Sequence, residues 1–178
     1  MASKAHHDSD RTEIGGDNGT IVFYPRALNI VWGADTRYWR LPEKQTDREK
    51  TRPAELIQVS WLEVTGTTDP LNEEKSYKIS FELSLKPDAF GWNGCQLYLM
   101  AKLGRRGRYK WTKVTFKDQP NNRPFTVPAE DFVIKVPPST DAEDRKLYFG
   151  LYEVWSGKWK GGLEIHKAEV AEVAAGKS

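Results

Sequence analysis

The side chains best able to do chemistry in this 178-residue chain are its rings: seven Trp, seven Tyr and seven Phe. A large ring buries on the order of 150 to 250 Å², and a buried indole N–H needs an acceptor, so seven tryptophans exceed the needs of one small core. Some of them belong on the surface. Trp32 ends a short apolar run, and a Gly33-Ala34-Asp35 turn leads from it to Tyr38 and Trp39. Downstream, Trp155 and Trp159 lie in a Gly-containing hairpin that closes on Gly161-Gly162. Loops with this much aromatic surface usually bind something.

Covalent chemistry is poorly supplied. Outside the first residues the only histidine is His166, so a serine or cysteine nucleophile has little choice of base. His166 follows Leu163 and Ile165 and reads as an ordinary surface histidine. Cys95, the single cysteine, opens an alternating apolar run and reads as a small buried residue. His6 and His7 are adjacent, without further ligands, and read as solvated. Walker, dinucleotide and zinc spacings are absent. Glu63, Glu82, Glu153 and Glu164 fall on expected strands, where acids on the wet face of a sheet are the default. No catalytic residue, cofactor or metal is therefore assigned, and a binding protein is expected.

The elements that must position the rings have a period of two. Tyr77, Ile79, Phe81, Leu83 and Leu85 alternate with polar residues, a strand with one face buried. Similar runs occupy 57 to 61 and 95 to 101, with further strands expected at 28 to 32, 109 to 116, 132 to 136, 147 to 155 and 163 to 170. Gly, Pro, Asn and Asp clusters separate them. The pattern predicts an all-β, antiparallel two-sheet sandwich of jelly-roll type with a few short helices, the best candidates being 46 to 55 and a turn at 128 to 131. In this frame Trp61 belongs to the core, and Trp111, alternating with Tyr109 and Lys113, is structural.

Composition sets the boundaries. Residues 1 to 19 are polar and read as a flexible tail, 20 to 173 as one domain and 174 to 178 as a second tail. No apolar run approaches the ~20 residues that cross a bilayer, and the amino terminus lacks the apolar core of a signal peptide. A lone cysteine suits a reducing compartment. With 27 basic and 25 acidic residues the formal net charge is +2, so a polyanionic partner must be argued from local clustering.

The segments Ala27 to Arg40, Glu55 to Gly66, Phe90-Gly91-Trp92 and Leu151 to Leu163 resemble, in order and spacing, the phloem protein 2 family, to which the Nictaba-type plant lectins belong. The resemblance spans roughly 26 to 172. It implies a β-sandwich lectin, typically dimeric, that binds N-acetylglucosamine oligomers (chitooligosaccharides) and the chitobiose core of N-glycans in the nucleus and cytoplasm of phloem cells. Family tryptophans associated with sugar binding match Trp32 and Trp39. The segment Asn121 to Arg145, with Pro124, Pro128, Pro137 and Pro138, departs from the family pattern. No F-box-like region precedes the domain, which points to a stand-alone lectin.

A pyranose offers an apolar C–H face to a ring and a rim of hydroxyls to donors and acceptors. The expected stacking residues are Trp32, Tyr38, Trp39, Trp92, Trp155 and Trp159. Asp35, Arg37, Asn93, Glu153 and Lys160 are the expected hydrogen-bond partners. An open groove of this kind binds with Kd of roughly micromolar to millimolar. The alternative is RNA. Arg105, Arg106, Arg108, Lys110 and Lys113, together with Lys102, are interleaved with Tyr109 and Trp111, a pattern that suits single-stranded nucleic acid; the family is also linked to RNA transport.

Overall fold

The computed structural model describes residues 5–44, 52–116, 119–138 and 141–173. Among these residues thirteen strands form two antiparallel sheets. The larger sheet is built around β13 (Gly161–Glu172) and β7 (Ser76–Phe90), paired along their length. On its other edge β13 pairs with β2 (Thr20–Phe23) and β5 (Ala54–Leu56). Beyond them lie β1 (Ile14–Gly15) and β4 (Trp39–Arg40), while β10 (Phe125–Val127) and β11 (Val133–Lys135) pair with the far edge of β7. The smaller sheet has the order β3 (Asn29–Ile30), β6 (Leu62–Thr67), β12 (Leu147–Glu153), β8 (Leu97–Leu103) and β9 (Lys110–Val114).

The alternation that predicts the sheets also fills the space between them. Tyr77, Ile79, Phe81, Leu83 and Leu85 of β7 face Leu97, Leu99, Phe149 and Leu151 of the smaller sheet in one core. At its centre Phe149 packs edge-to-face on Phe23, 5.0 Å between centroids, and on Phe81 at 6.0 Å. In β13 the buried positions slip from Leu163 and Ile165 to Ala168 and Val170, because a bulge between Ile165 and Lys167 inserts one residue.

Several expectations are corrected. The strand expected at 57 to 61 is a crossover between sheets; the strand itself is β6, and the phase change turns Trp61 outward, 45% exposed. Trp61 Nε1 donates to Glu63 Oε1 beside it. The helix expected at 46 to 55 falls largely outside the described residues, and Ala54–Leu56 is strand β5. Residues 129 and 130 form a bend, not a helix. Among the described residues, helical structure is confined to short 3-10 turns at Arg11–Glu13, Pro25–Ala27 and Ala142–Arg145.

Residues 5–19 are docked rather than free. His7 exchanges backbone hydrogen bonds with Ile30, both 2.9 Å, and Ser9 N donates to Asn29 Oδ1. Asp10 caps the first 3-10 turn, and Ile14–Gly15 extends the larger sheet. The segment is held by hydrogen bonds more than by apolar burial, which is why its polar composition reads as a tail.

Candidate aromatic binding site

The turn after β3 lifts Trp32 out of the sheet edge. Its φ of +64° is costly for a residue with a side chain. Three contacts enforce it: Trp32 N donates to His6 Nδ1 at 2.9 Å, Trp32 O accepts from Asp35 N, and Gly33 N returns to Ile30 O. A Cβ on Gly33 would lie 2.8 Å from Ile30 Cβ and 2.9 Å from His7 Cβ, so glycine is what lets the amino-terminal segment close against this turn. The His6 ring stands edge-on to the indole, 5.5 Å between centroids.

Tyr38 continues the aromatic surface. Its ring meets Trp32 edge-on at 5.7 Å and stacks near-parallel with Trp159 at 6.3 Å and 29°. Trp32 and Trp159 are 39% and 51% exposed. Asp35 accepts from Arg37 N, Nε and Nη2, the last at 2.7 Å, and this fork holds the guanidinium over Tyr38, 5.1 Å from its centroid. The Arg37 hydrogen bonds hold the Asp35 carboxyl below its ordinary 3.8, so it is an anion at neutral pH.

Trp159 reaches this surface on the loop that follows β12, and that loop is fixed from inside. Glu153 and Lys160 are both buried, with Oε2 and Nζ 2.5 Å apart. Glu153 also accepts from Ser156 N and Oγ, while Lys160 Nζ donates to Ser60 O and Lys158 O. Burial pushes the Glu153 carboxyl upward, but the Lys160 and Ser156 hydrogen bonds outweigh it and hold it below its ordinary 4.5. Glu153 therefore continues the inward set of Leu147, Phe149 and Leu151 rather than lying on the wet face where an acidic residue belongs by default, and neither end of the pair is free for a ligand.

The structure thus brings together Trp32, Tyr38 and Trp159 with Asp35 and Arg37. Trp39 is in the core, 1% exposed, and among the described residues its Nε1 finds no acceptor. Trp92 donates from Nε1 to Gly161 O and packs on Phe116 in a hollow of about 610 Å³ that also contains Asn93. Trp155 lies on the outer face of the smaller sheet, edge-on to Tyr98 at 5.1 Å. His6 was not legible as part of the aromatic surface, since its contact with Trp32 depends on long-range docking of the amino terminus. Tyr98 was legible in principle: it alternates with Leu97 and Leu99 and so must face outward.

Other chemistry is thin. Ser84 Oγ lies 2.7 Å from His166 Nε2 and 3.2 Å from Glu164 Oε1. Ser84 is 2% exposed, and the carboxylate contacts the serine rather than orienting the imidazole, so the trio lacks the order of a nucleophilic triad. Among the described residues no group of three His, Cys, Asp or Glu side chains could hold a metal ion.

Comparison with known proteins agrees with the architecture. A relative described as Protein PHLOEM PROTEIN 2-LIKE A9 from Arabidopsis thaliana is 41% identical, covering 95% of this chain and 97% of its own. A lectin from Luffa acutangula is 32% identical over 67% of this chain and 57% of that protein. Among solved structures, a GH26-CBM35 β-(1,4)-mannanase of Podospora anserina superposes with a TM-score of 0.53 at 8% identity, over 90% of this chain and 29% of that one, a likeness of fold alone. The family profile described as Phloem protein 2 matches residues 18–171, and the chain belongs to the phloem protein 2 family.

Proposed function

We propose that this protein is a carbohydrate-binding lectin whose site is the Trp32–Tyr38–Trp159 surface, and that its ligands are N-acetylglucosamine oligomers, including the chitobiose core of N-glycans. The observation that carries this reading is the convergence of two exposed indoles, Trp32 and Trp159, on the half-buried Tyr38 ring between them, 5.7 and 6.3 Å from it, beside the Asp35–Arg37 fork. Rings of this kind take the C–H faces of successive sugars. The Arg37 donors and Asp35 acceptors can take the hydroxyl and acetamido groups around those faces. Relatives described as lectins support the general class. No reacting group is needed for this activity, and the function is binding rather than catalysis.

The test is titration of intrinsic tryptophan fluorescence with N,N′,N″-triacetylchitotriose at 50 and 300 mM salt, alongside Trp159→Ala. Saturable, salt-insensitive binding that the variant loses supports the reading; no response at millimolar sugar overturns it. A homodimer and a nucleocytoplasmic location in phloem belong to the same proposal, tested by sedimentation and by imaging of a tagged chain. Among the described residues no helix is long and apolar enough to cross a membrane.

RNA binding by the hairpin of Lys102 to Lys113 is the second reading. Arg105, Arg106 and Arg108 form no ion pair among the described residues, which leaves their charge open to a polyanion. Binding by that route weakens steeply between 50 and 200 mM salt.

A further inference from the structure

The outer face of the smaller sheet carries a second ordered aromatic surface. Tyr98 on β8 has an indole on either side in the fold: Trp111 from β9 at 5.4 Å and 81°, and Trp155 from the loop after β12 at 5.1 Å and 82°. Trp111 and Trp155 are 57% and 59% exposed, among the most accessible large rings described. Together with Gln96, Met100 and Ser156 they line a groove of about 510 Å³, within the range of small-ligand sites.

The groove is built, not incidental. Strand register puts Tyr98 across from Tyr152, and Met100 across from Gly150 and Trp111. At Gly150 a Cβ would meet Tyr152 Cε2 at 2.9 Å and Thr65 Cγ2 at 2.7 Å, so glycine leaves room for the Tyr152 ring to lie along the face. Trp155 is anchored next to Ser156, which is tied to the buried Glu153–Lys160 pair.

Lining chemistry selects the occupant. The groove offers rings, a thioether, an amide and hydroxyls; its one charged lining group, Glu153, is already neutralised by Lys160. No cation is part of the lining, although Lys113, directly across from Tyr98 on the same face, stands at its edge. An uncharged lining matches an uncharged ligand with apolar faces and many hydroxyls. A phosphate chain would find no counter-charge within the groove itself. An unbranched β-linked glycan is such a ligand, because its equatorial linkages make a flat ribbon whose C–H faces can lie on a sheet.

We propose that this groove is a second carbohydrate site, separate from the Trp32–Tyr38–Trp159 surface, that takes an unbranched neutral β-linked glycan and does not require acetamido groups. The inference extends the lectin reading, and its test separates the two. Calorimetry with cellohexaose and with triacetylchitotriose would be run on the wild type, Trp111→Ala and Trp159→Ala, with circular dichroism to verify folding. Both tryptophans are half-exposed, so both variants are expected to fold.

Cellohexaose affinity should fall about tenfold in Trp111→Ala and stay unchanged in Trp159→Ala, with chitotriose showing the reverse. Cellohexaose binding lost only in Trp111→Ala, with no chitotriose binding to the wild type, would keep this site while removing the first. Absence of cellohexaose binding at millimolar concentration overturns the proposal, as does equal weakening by both variants. It is overturned too if Trp111→Ala abolishes salt-sensitive binding of poly(U) or dissociates a dimer while leaving cellohexaose untouched.

Discussion

Glu153 and Lys160 close a buried ion pair, 2.5 Å from Oε2 to Nζ, across the two ends of the loop that carries Trp155 and Trp159. One interaction therefore supports two aromatic surfaces. Removing one partner leaves the other charged and buried, so Lys160→Met should cost about 3 to 5 kcal/mol in denaturant unfolding. Glu153→Leu combined with Lys160→Met should recover much of that stability yet weaken both sugars, because the hydrogen bonds to Ser156 and Ser60 that shape the loop are gone. Full recovery of binding in the double variant would show that the pair does not position the rings.

The same carboxylate makes a pH prediction. Its pKa is lower folded than the ordinary 4.5, so the stability it contributes is complete above that value and is lost as pH falls through the depressed folded one. Thermal unfolding measured from pH 7 down to pH 3 should fall more steeply in the wild type than in Glu153→Gln. Parallel curves would contradict the assignment.

Trp39 and Trp159 should separate cleanly. Trp39→Ala empties part of the core and should cost about 3 to 5 kcal/mol. Trp39→Phe removes an indole N–H that has no acceptor among the described residues, so it should cost clearly less and leave chitotriose affinity within twofold of wild type. Trp159→Ala should change stability by under about 1 kcal/mol and lose chitotriose binding. Unfolding titrations paired with fluorescence binding check all three.

At the amino terminus, Gly33→Ala should displace His7 and release the segment that supports Trp32. Amide exchange at His7 and Ile30 should quicken, and chitotriose should bind more weakly. His6→Ala, which removes only the side-chain acceptor, should have the smaller effect on exchange. Unchanged protection at His7 in Gly33→Ala would mean that the turn absorbs the new methyl.

How far the sequence reaches is clear from particular residues. Period-two alternation over 77 to 85 is a local property, and it identifies β7 and its buried face correctly. Alternation fails at Trp61, because the chain changes sheets between Ile57 and Leu62 and a change of sheet shifts phase without leaving a local mark. At Glu153 alternation is right, since the residue continues the inward set of Leu147, Phe149 and Leu151; the default that acids face water misleads there, because the buried carboxylate is tolerable only with Lys160, seven positions on, folded back onto it. Turn chemistry places Trp32 and Tyr38 close together. Adding Trp159 and His6 depends on docking across the sheet edge. Trp39 shows the limit of reading aromatics near a turn, since it is fully buried while Tyr38, the residue next to it, is only half-buried at the surface.

The four-residue spacing of Trp155 and Trp159 has a thermodynamic consequence. Both surfaces draw on one loop, and the Glu153–Lys160 pair orders that loop on folding, so its conformational entropy is lost before any ligand arrives and not again when one binds. Preorganisation of this kind predicts that a ligand at one surface leaves the affinity of the other unchanged.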